Sequence, residues 1–298
     1  MGNTKKQGPP NPQKHIMLEV IACCTPGVFM MSYYFGAGVF KNIFFSVFFC
    51  CLLESLFQKS FKILKDFSAA LTGILLAVSI PPGFPVFYLL IGCIFAIIIA
   101  KQLYGGLGHN IFNPALVGYM VLLLSFPQSA TWLLDPTWQG VSTEIVDSIS
   151  QATPLDHLIR QLYSSDLMSL QTNLDIWRNI NLSWLLGGLL LVIRKKIILP
   201  LMLSYLLGVL FFSFFTSMGI SHLLLGATQI SAFFIITDPV TAATTPKGQW
   251  IYGFFAGLFT VFMRVYSSYP EGAAFAILLM NMMAPFINHV TIQKPFGK

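Results

Sequence analysis

Long apolar runs separated by short polar breaks organise this chain. Ten apolar segments stand out, at about 16–34, 39–57, 67–80, 84–100, 112–126, 181–194, 197–217, 222–237, 249–266 and 271–289. A perpendicular membrane span needs about 20 apolar residues, and several of these runs are shorter. The runs at 67–80 and 222–237 end at Pro81-Pro82 and Asp238-Pro239. That pattern predicts broken, half-membrane helices, which occur where backbone lines a cavity or site. The punctuation also repeats. In the first half a run ends at IPPG, a helix follows, then the break LYGGLGHN, then a helix starting at Pro114. In the second half a run ends at TDPV, a helix follows, then the break VYSSYPEG, then a helix near Pro270. Pro82 and Pro114 lie 32 residues apart, Pro239 and Pro270 lie 31 apart. Each half holds five segments, an odd number, so the second half is expected to sit inverted in the membrane. The predicted fold is an all-α polytopic membrane protein with about ten transmembrane or half-membrane helices in two inverted five-helix repeats. Its parts are a cytoplasmic tail at 1–15, a first repeat at 16–126, an outer loop at 127–180 and a second repeat at 181–298.

Composition agrees. Of 298 residues 55% are hydrophobic and only 9% charged, against about 25% charged in a soluble domain. The 28 Phe suit surfaces that face lipid. The net charge of +6 is not a nucleic-acid signature, because the basic residues fall in short clusters between apolar runs. With both termini inside, the cytoplasmic segments hold thirteen of them, including Lys59, Lys101, Arg194, Lys195, Lys196 and Lys247, while Lys41, Arg160, Arg178 and Arg264 fall outside. This positive-inside bias places 127–180, with its six acids, on the outer face. The five Cys all sit in apolar runs without CxxC spacing, and read either as small packing residues or as an interface with a metal cluster in a partner subunit. His109 and His157 have no second His at a ligand spacing, so no metal site is assigned.

The outer loop carries the candidate chemistry. Thr153-Pro154-Leu155-Asp156 reads as a helix start: Thr as N-cap, Pro at the first helical position, an acid three residues on. Just upstream, Asp147-Ser148-Ile149-Ser150-Gln151-Ala152-Thr153 resembles the flavinylation signal D-x-x-[S/T]-G-A-T, on which a flavin transferase joins the phosphate of FMN to the Thr hydroxyl. Asp147, Ser150, Ala152 and Thr153 match, and Gln151 stands where Gly is commonest. A phosphate at Thr153 would sit by a helix N-terminus, whose free amides favour anions. A second Gly-Ala-Thr, at 226–228, has His222 in place of the acid and Leu225 in place of Ser or Thr, and lies in an apolar run. It is rejected as an attachment site.

The runs LTGILLAVSIPP, IIAKQLYGGLGHNIFNPALVGYMVLLLSFP, SQATPLD, FFIITDPVTAATTPKGQWIYG and YPEGAAFAILLMN closely resemble the RnfD component of the Rnf electron-transport complexes. They resemble the related NqrB component of the sodium-pumping NADH:quinone oxidoreductase less closely. The likeness covers nearly all of 16–298, with an outer loop shorter than is common in the family. It implies a membrane component, not catalytic alone, of a translocase that passes electrons between ferredoxin and NAD and moves Na⁺ or H⁺. FMN would be held covalently on Thr153, and a second, noncovalent flavin is a further possibility of the family. The implied setting is the bacterial cytoplasmic (inner) membrane with its lipid, beside the A, B, C, E and G components of the Rnf complex, with a flavin transferase for maturation.

Two intramembrane acids are ion-coupling candidates. Glu54 lies deep in an apolar run, where an ionisable group is costly and marks function by default; the alternative is a pair with a Lys on a neighbouring helix. Asp238 follows a half-helix among Thr237, Thr241, Thr244 and Thr245. It reads equally as an ion or flavin-edge site and as a turn in which Asp bonds nearby amides. Glu19 is shallower, and Asp66 reads as a helix cap. A competing reading of the same scaffold is a channel or secondary transporter for a small solute, which has no reason to carry the Asp147–Thr153 motif.

Overall fold

The computed structural model describes residues 12–59, 66–127, 167–216, 218–267 and 272–292, and among these the only regular structure is helical. The first half runs α1 (Pro12–Phe35), α2 (Gly38–Phe57), α3 (Ser68–Ser79), α4 (Val86–Ile94, continued as π-helix through Phe95–Gln102) and α5 (Pro114–Ser125). The second runs α6 (Leu167–Ile193), α7 (Leu199–Ser213), α8 (Thr228–Ile230, continued as π-helix through Ser231–Ile235), α9 (Pro246–Tyr266) and α10 (Gly272–Thr291). A 3₁₀ turn at Gly219–Leu224 precedes α8. The segments follow the apolar runs in order. Four helices are long and apolar enough to span a membrane. Others, such as the 12-residue α3 and α5, are not: at about 1.5 Å per residue they reach well short of the roughly 30 Å hydrocarbon core. The protein is an all-helical polytopic membrane protein with broken helices.

Local chemistry sets the breaks. Asn113 caps α5, its Oδ1 accepting from the amides of Ala115 and Leu116, and Pro114 opens the helix. Before α3, Asp66 Oδ1 accepts from the amide and hydroxyl of Ser68, the capping role its sequence position predicts. The Pro81 break is tied to α2, where Asn42 Nδ2 donates to Pro81 O at 2.7 Å. The break before α8 is held from α6: Asn181 Nδ2 donates to Gly226 O at 2.9 Å and its Oδ1 accepts from the Gln229 amide at 3.2 Å.

Helix packing relies on small residues, as expected where lipid removes any hydrophobic drive between helices. In the second half α7 lies against α9 so closely that a Cβ on Gly208 would stand 2.0 Å from Phe254 O, and one on Gly257 2.0 Å from Tyr205 O. The halves meet where α1 crosses α6. There a Cβ on Gly187 would stand 2.1 Å from Cys23 O, and Gly27 faces the Trp184 ring. Phe29, Phe44, Phe48, Phe211, Phe215 and Phe286 point outward on the bundle surface.

Two features depart from the sequence pattern. The helix α6 begins at Leu167 rather than near 181, because Leu167, Leu170, Leu174, Trp177 and Asn181 continue a helical repeat into the polar stretch. Secondly, Lys101 and Arg264, counted above as topology signals, are each only 1% exposed. Neither reports which side of the membrane its segment ends on. The remaining twelve against three keep the positive-inside bias.

Candidate functional site

Thr153, Asp147, Ser150 and Ala152, like His157, lie outside the described residues. The rejected site, Thr228, is fully buried, its hydroxyl donating to the carbonyls of His222 and Leu225, both at 2.8 Å. No enzyme outside the fold reaches it there.

Glu54 sits near the end of α2, 1% exposed, and its alternative reading is met. Lys101 Nζ, equally buried, lies 2.6 Å from Glu54 Oε1. The same ammonium donates to Ser68 Oγ at 2.6 Å, while Gln102 Nε2 donates to Glu54 Oε1 at 2.8 Å. Gln58, one turn on from Glu54 and partly exposed, donates to Gln102 Oε1 at 2.6 Å. Glu54 Oε2 is buried and has no hydrogen-bond partner.

The π-helical end of α4 makes this convergence possible. In an α-helix successive side chains point about 100° apart, so Lys101 and Gln102 would reach different neighbours. Here i→i+5 bonds run from Leu103 N to Ile98 O at 2.9 Å and from Gly106 N to Lys101 O at 3.0 Å. The widened turn lets both residues address one carboxylate oxygen. Such π segments recur at functional sites.

Beside this cluster lies a cavity of about 440 Å³ between the halves. Lys101, Ser68 and Thr72 line it from the first half, with Asn110 and Asn113 at the start of α5. Phe233, Phe234, Thr237 and Asp238 line it from the end of α8, and Lys195 and Lys196 from the α6–α7 turn. Asp238 has the turn geometry of its second reading: Oδ1 accepts from Val240 N at 3.0 Å and Oδ2 from Thr241 Oγ1 at 3.2 Å. It also borders the cavity. Thr237 turns back to Phe233 O, and Thr245 caps α9 through the Gly248 amide. Glu19 is a surface tether, its Oε1 3.6 Å from Lys196 Nζ and 3.9 Å from Arg194 Nη1.

A polar centre of the second half escaped sequence reasoning. Arg264 Nη1 donates to His222 O at 3.2 Å, while its Nε and Nη2 and both ring nitrogens of His222 are buried without partners. Its only signal was an Arg within an apolar run. The Cys remain thiols: Cys93 Sγ lies 3.6 Å from Ser46 Oγ in the α2–α4 contact. Among the described residues no group of three His, Cys, Asp or Glu could hold a metal.

The chain matches the model of the NQR2, RnfD, RnfE family over residues 9–297. It is 39% identical over 330 aligned residues to the RnfD-type component of the ion-translocating oxidoreductase complex of Yersinia enterocolitica, covering 95% of this chain and 94% of that one. Like-named components from Klebsiella pneumoniae and Escherichia coli are 39% and 40% identical over 329 aligned residues, with the same coverage. On a likeness that spans all ten helical segments and both polar centres, the chain belongs to the NQR2, RnfD, RnfE family.

Proposed function

We propose that this chain is the flavin-bearing membrane component of a redox-driven ion pump. Such a pump passes electrons between ferredoxin and NAD and moves Na⁺ or H⁺ across the bacterial inner membrane. The observation that carries the reading is the Asp147-x-x-Ser150-x-Ala152-Thr153 motif in a chain whose relatives are named as parts of an ion-translocating oxidoreductase complex. Both termini are cytoplasmic in this reading, the halves are inverted, and the 127–180 loop is on the outer face. The A, B, C, E and G components supply the remaining electron carriers, and a flavin transferase loads Thr153.

FMN esterified to Thr153 through its phosphate leaves the ring free for redox work, and the tether replaces a bimolecular search with a local encounter. The 440 Å³ cavity suits a second, noncovalent flavin. Its volume falls within the range of about 300–1,000 Å³ typical of small-molecule sites. Phe233, Phe234, Leu71 and Leu75 offer apolar walls to a ring. Lys101, Lys195, Lys196 and the Asn110 and Asn113 amides offer cations and donors to its polar parts. Bound there, the group would supply one-electron and two-electron storage. The chain's own residues would exclude water and hold opposing charge.

The test is fluorescence of the denatured protein in a gel under ultraviolet light after co-expression with a flavin transferase. The wild type and Thr228→Ala fluoresce, and Thr153→Ala is dark. A dark wild-type band removes the covalent-flavin reading and leaves the small-solute transporter as the better account.

A further inference from the structure

Lys101 belongs to two neighbourhoods at once. Its ammonium touches Glu54 and Ser68, and its side chain lines the cavity, whereas Glu54 does not. The ammonium is therefore the wall between the buried carboxylate and whatever charge enters the cavity. Lysine suits a movable wall: it is a compact point charge on a flexible stem. Glu54 is poised to respond. Its Oε1 has two donors and its Oε2 has none. If the ammonium withdraws, only the neutral Gln102 amide remains, and a carboxylate stranded in a low-dielectric interior favours its protonated form.

We propose that Lys101 is a charge-driven switch that makes Glu54 take up one proton for each negative charge delivered to the cavity. This rests on the reading of the cavity as the second flavin site. One electron, from the low-potential donor of the complex, enters the cavity. The Lys101 ammonium moves toward it and stays protonated. A proton from water binds Glu54 Oε2, forming one O–H bond, so the added charges, one negative and one positive, cancel. Gln58 and Gln102 mark the polar route from the partly exposed end of α2 to Glu54. The other titratable groups near the pair are Cys50 and Cys51 on α2, Cys93 on α4 and Asp66 before α3, so Lys101 is the cation whose displacement changes the field at Glu54. A single oxygen without a donor suits a proton better than a metal cation, which wants several oxygen ligands.

Redox-induced infrared difference spectroscopy of the assembled complex tests this. Reduction of the wild type should raise a band in the protonated-carboxyl stretching region that Glu54→Gln abolishes. In Lys101→Met, Glu54 is protonated in both redox states and the difference band is lost. In Lys101→Arg the band persists but shifts, and this variant carries the test should Lys101→Met fail to assemble. A wild-type spectrum with no Glu54-dependent band, or a band unchanged by both Lys101 substitutions, overturns the switch. Flavin released from the same sample by denaturation is counted separately. A complex with no releasable flavin contradicts the cavity reading; releasable flavin with no Glu54 band contradicts the switch alone.

Discussion

Lys101 and Arg264 occupy matching places. Each closes the fourth segment of its half, and each is 1% exposed. Their surroundings differ. Lys101 has a carboxylate and a hydroxyl within 2.6 Å. Arg264 has, among the described residues, one carbonyl at 3.2 Å and two nitrogens without partners. The first half neutralises its buried cation with an acid, and the second meets its own with a backbone dipole. The lesson concerns which partner is stranded. Removing either member of an ion pair leaves an uncompensated buried charge, whereas removing Arg264 leaves only a carbonyl and a neutral ring. A division of labour follows: the first half holds a mobile charge pair beside the cavity, and the second holds a fixed cation inside its helix contacts.

The largest expected effect comes from splitting the pair. Glu54→Gln strands the ammonium and should cost about 3–5 kcal/mol, read as a fall in the thermal midpoint of the detergent-solubilised protein. Glu54→Gln combined with Lys101→Met should recover most of that loss, a coupling that a double-mutant cycle measures. Additive losses would mean that the two side chains do not interact. Next comes Thr228→Ala, whose partners His222 O and Leu225 O lose a buried donor at about 1–2 kcal/mol; the flavin signal should not change. Asn113→Ala removes the α5 cap at the cavity rim and should cost about 1 kcal/mol, and an unchanged midpoint would remove the cap from the account. The smallest effect is Arg264→Met, expected within about 1 kcal/mol, since replacing a buried charge by an apolar group of similar length is often neutral. A loss as large as that of Glu54→Gln would show that Arg264 has an acidic partner and break the contrast.

Much of the scaffold was legible from apolar runs and their punctuation. Pro114, Pro246 and the Pro81-Pro82 break mark where helices start and stop because proline removes an amide donor and fixes φ. Asn113 and Asp66 are readable as caps for equally local reasons. Glu54 stood out because an acid in an apolar run has few inexpensive environments. Its partner was hidden. Lys101 follows IIIA and precedes a glycine-rich break, so it looked like a cation at a membrane edge. A 3.6-residue period carries no sign of the π segment that turns it inward beside Gln102. Arg264 was missed likewise, since its burial depends on α7, α9 and the turn at His222 meeting, which no local pattern encodes. The start of α6 was missed because polar residues at 171–175 mask a repeat that continues through them.

The central claim, that this chain carries a flavin on its outer loop, is tested most directly by mass spectrometry of the peptide containing Thr153 from protein made with its transferase. The account predicts that peptide heavier by FMN less one water, with fragmentation placing the addition on Thr153, and the peptide containing Thr228 unmodified. An unmodified Thr153 peptide from protein co-expressed with an active transferase would contradict it.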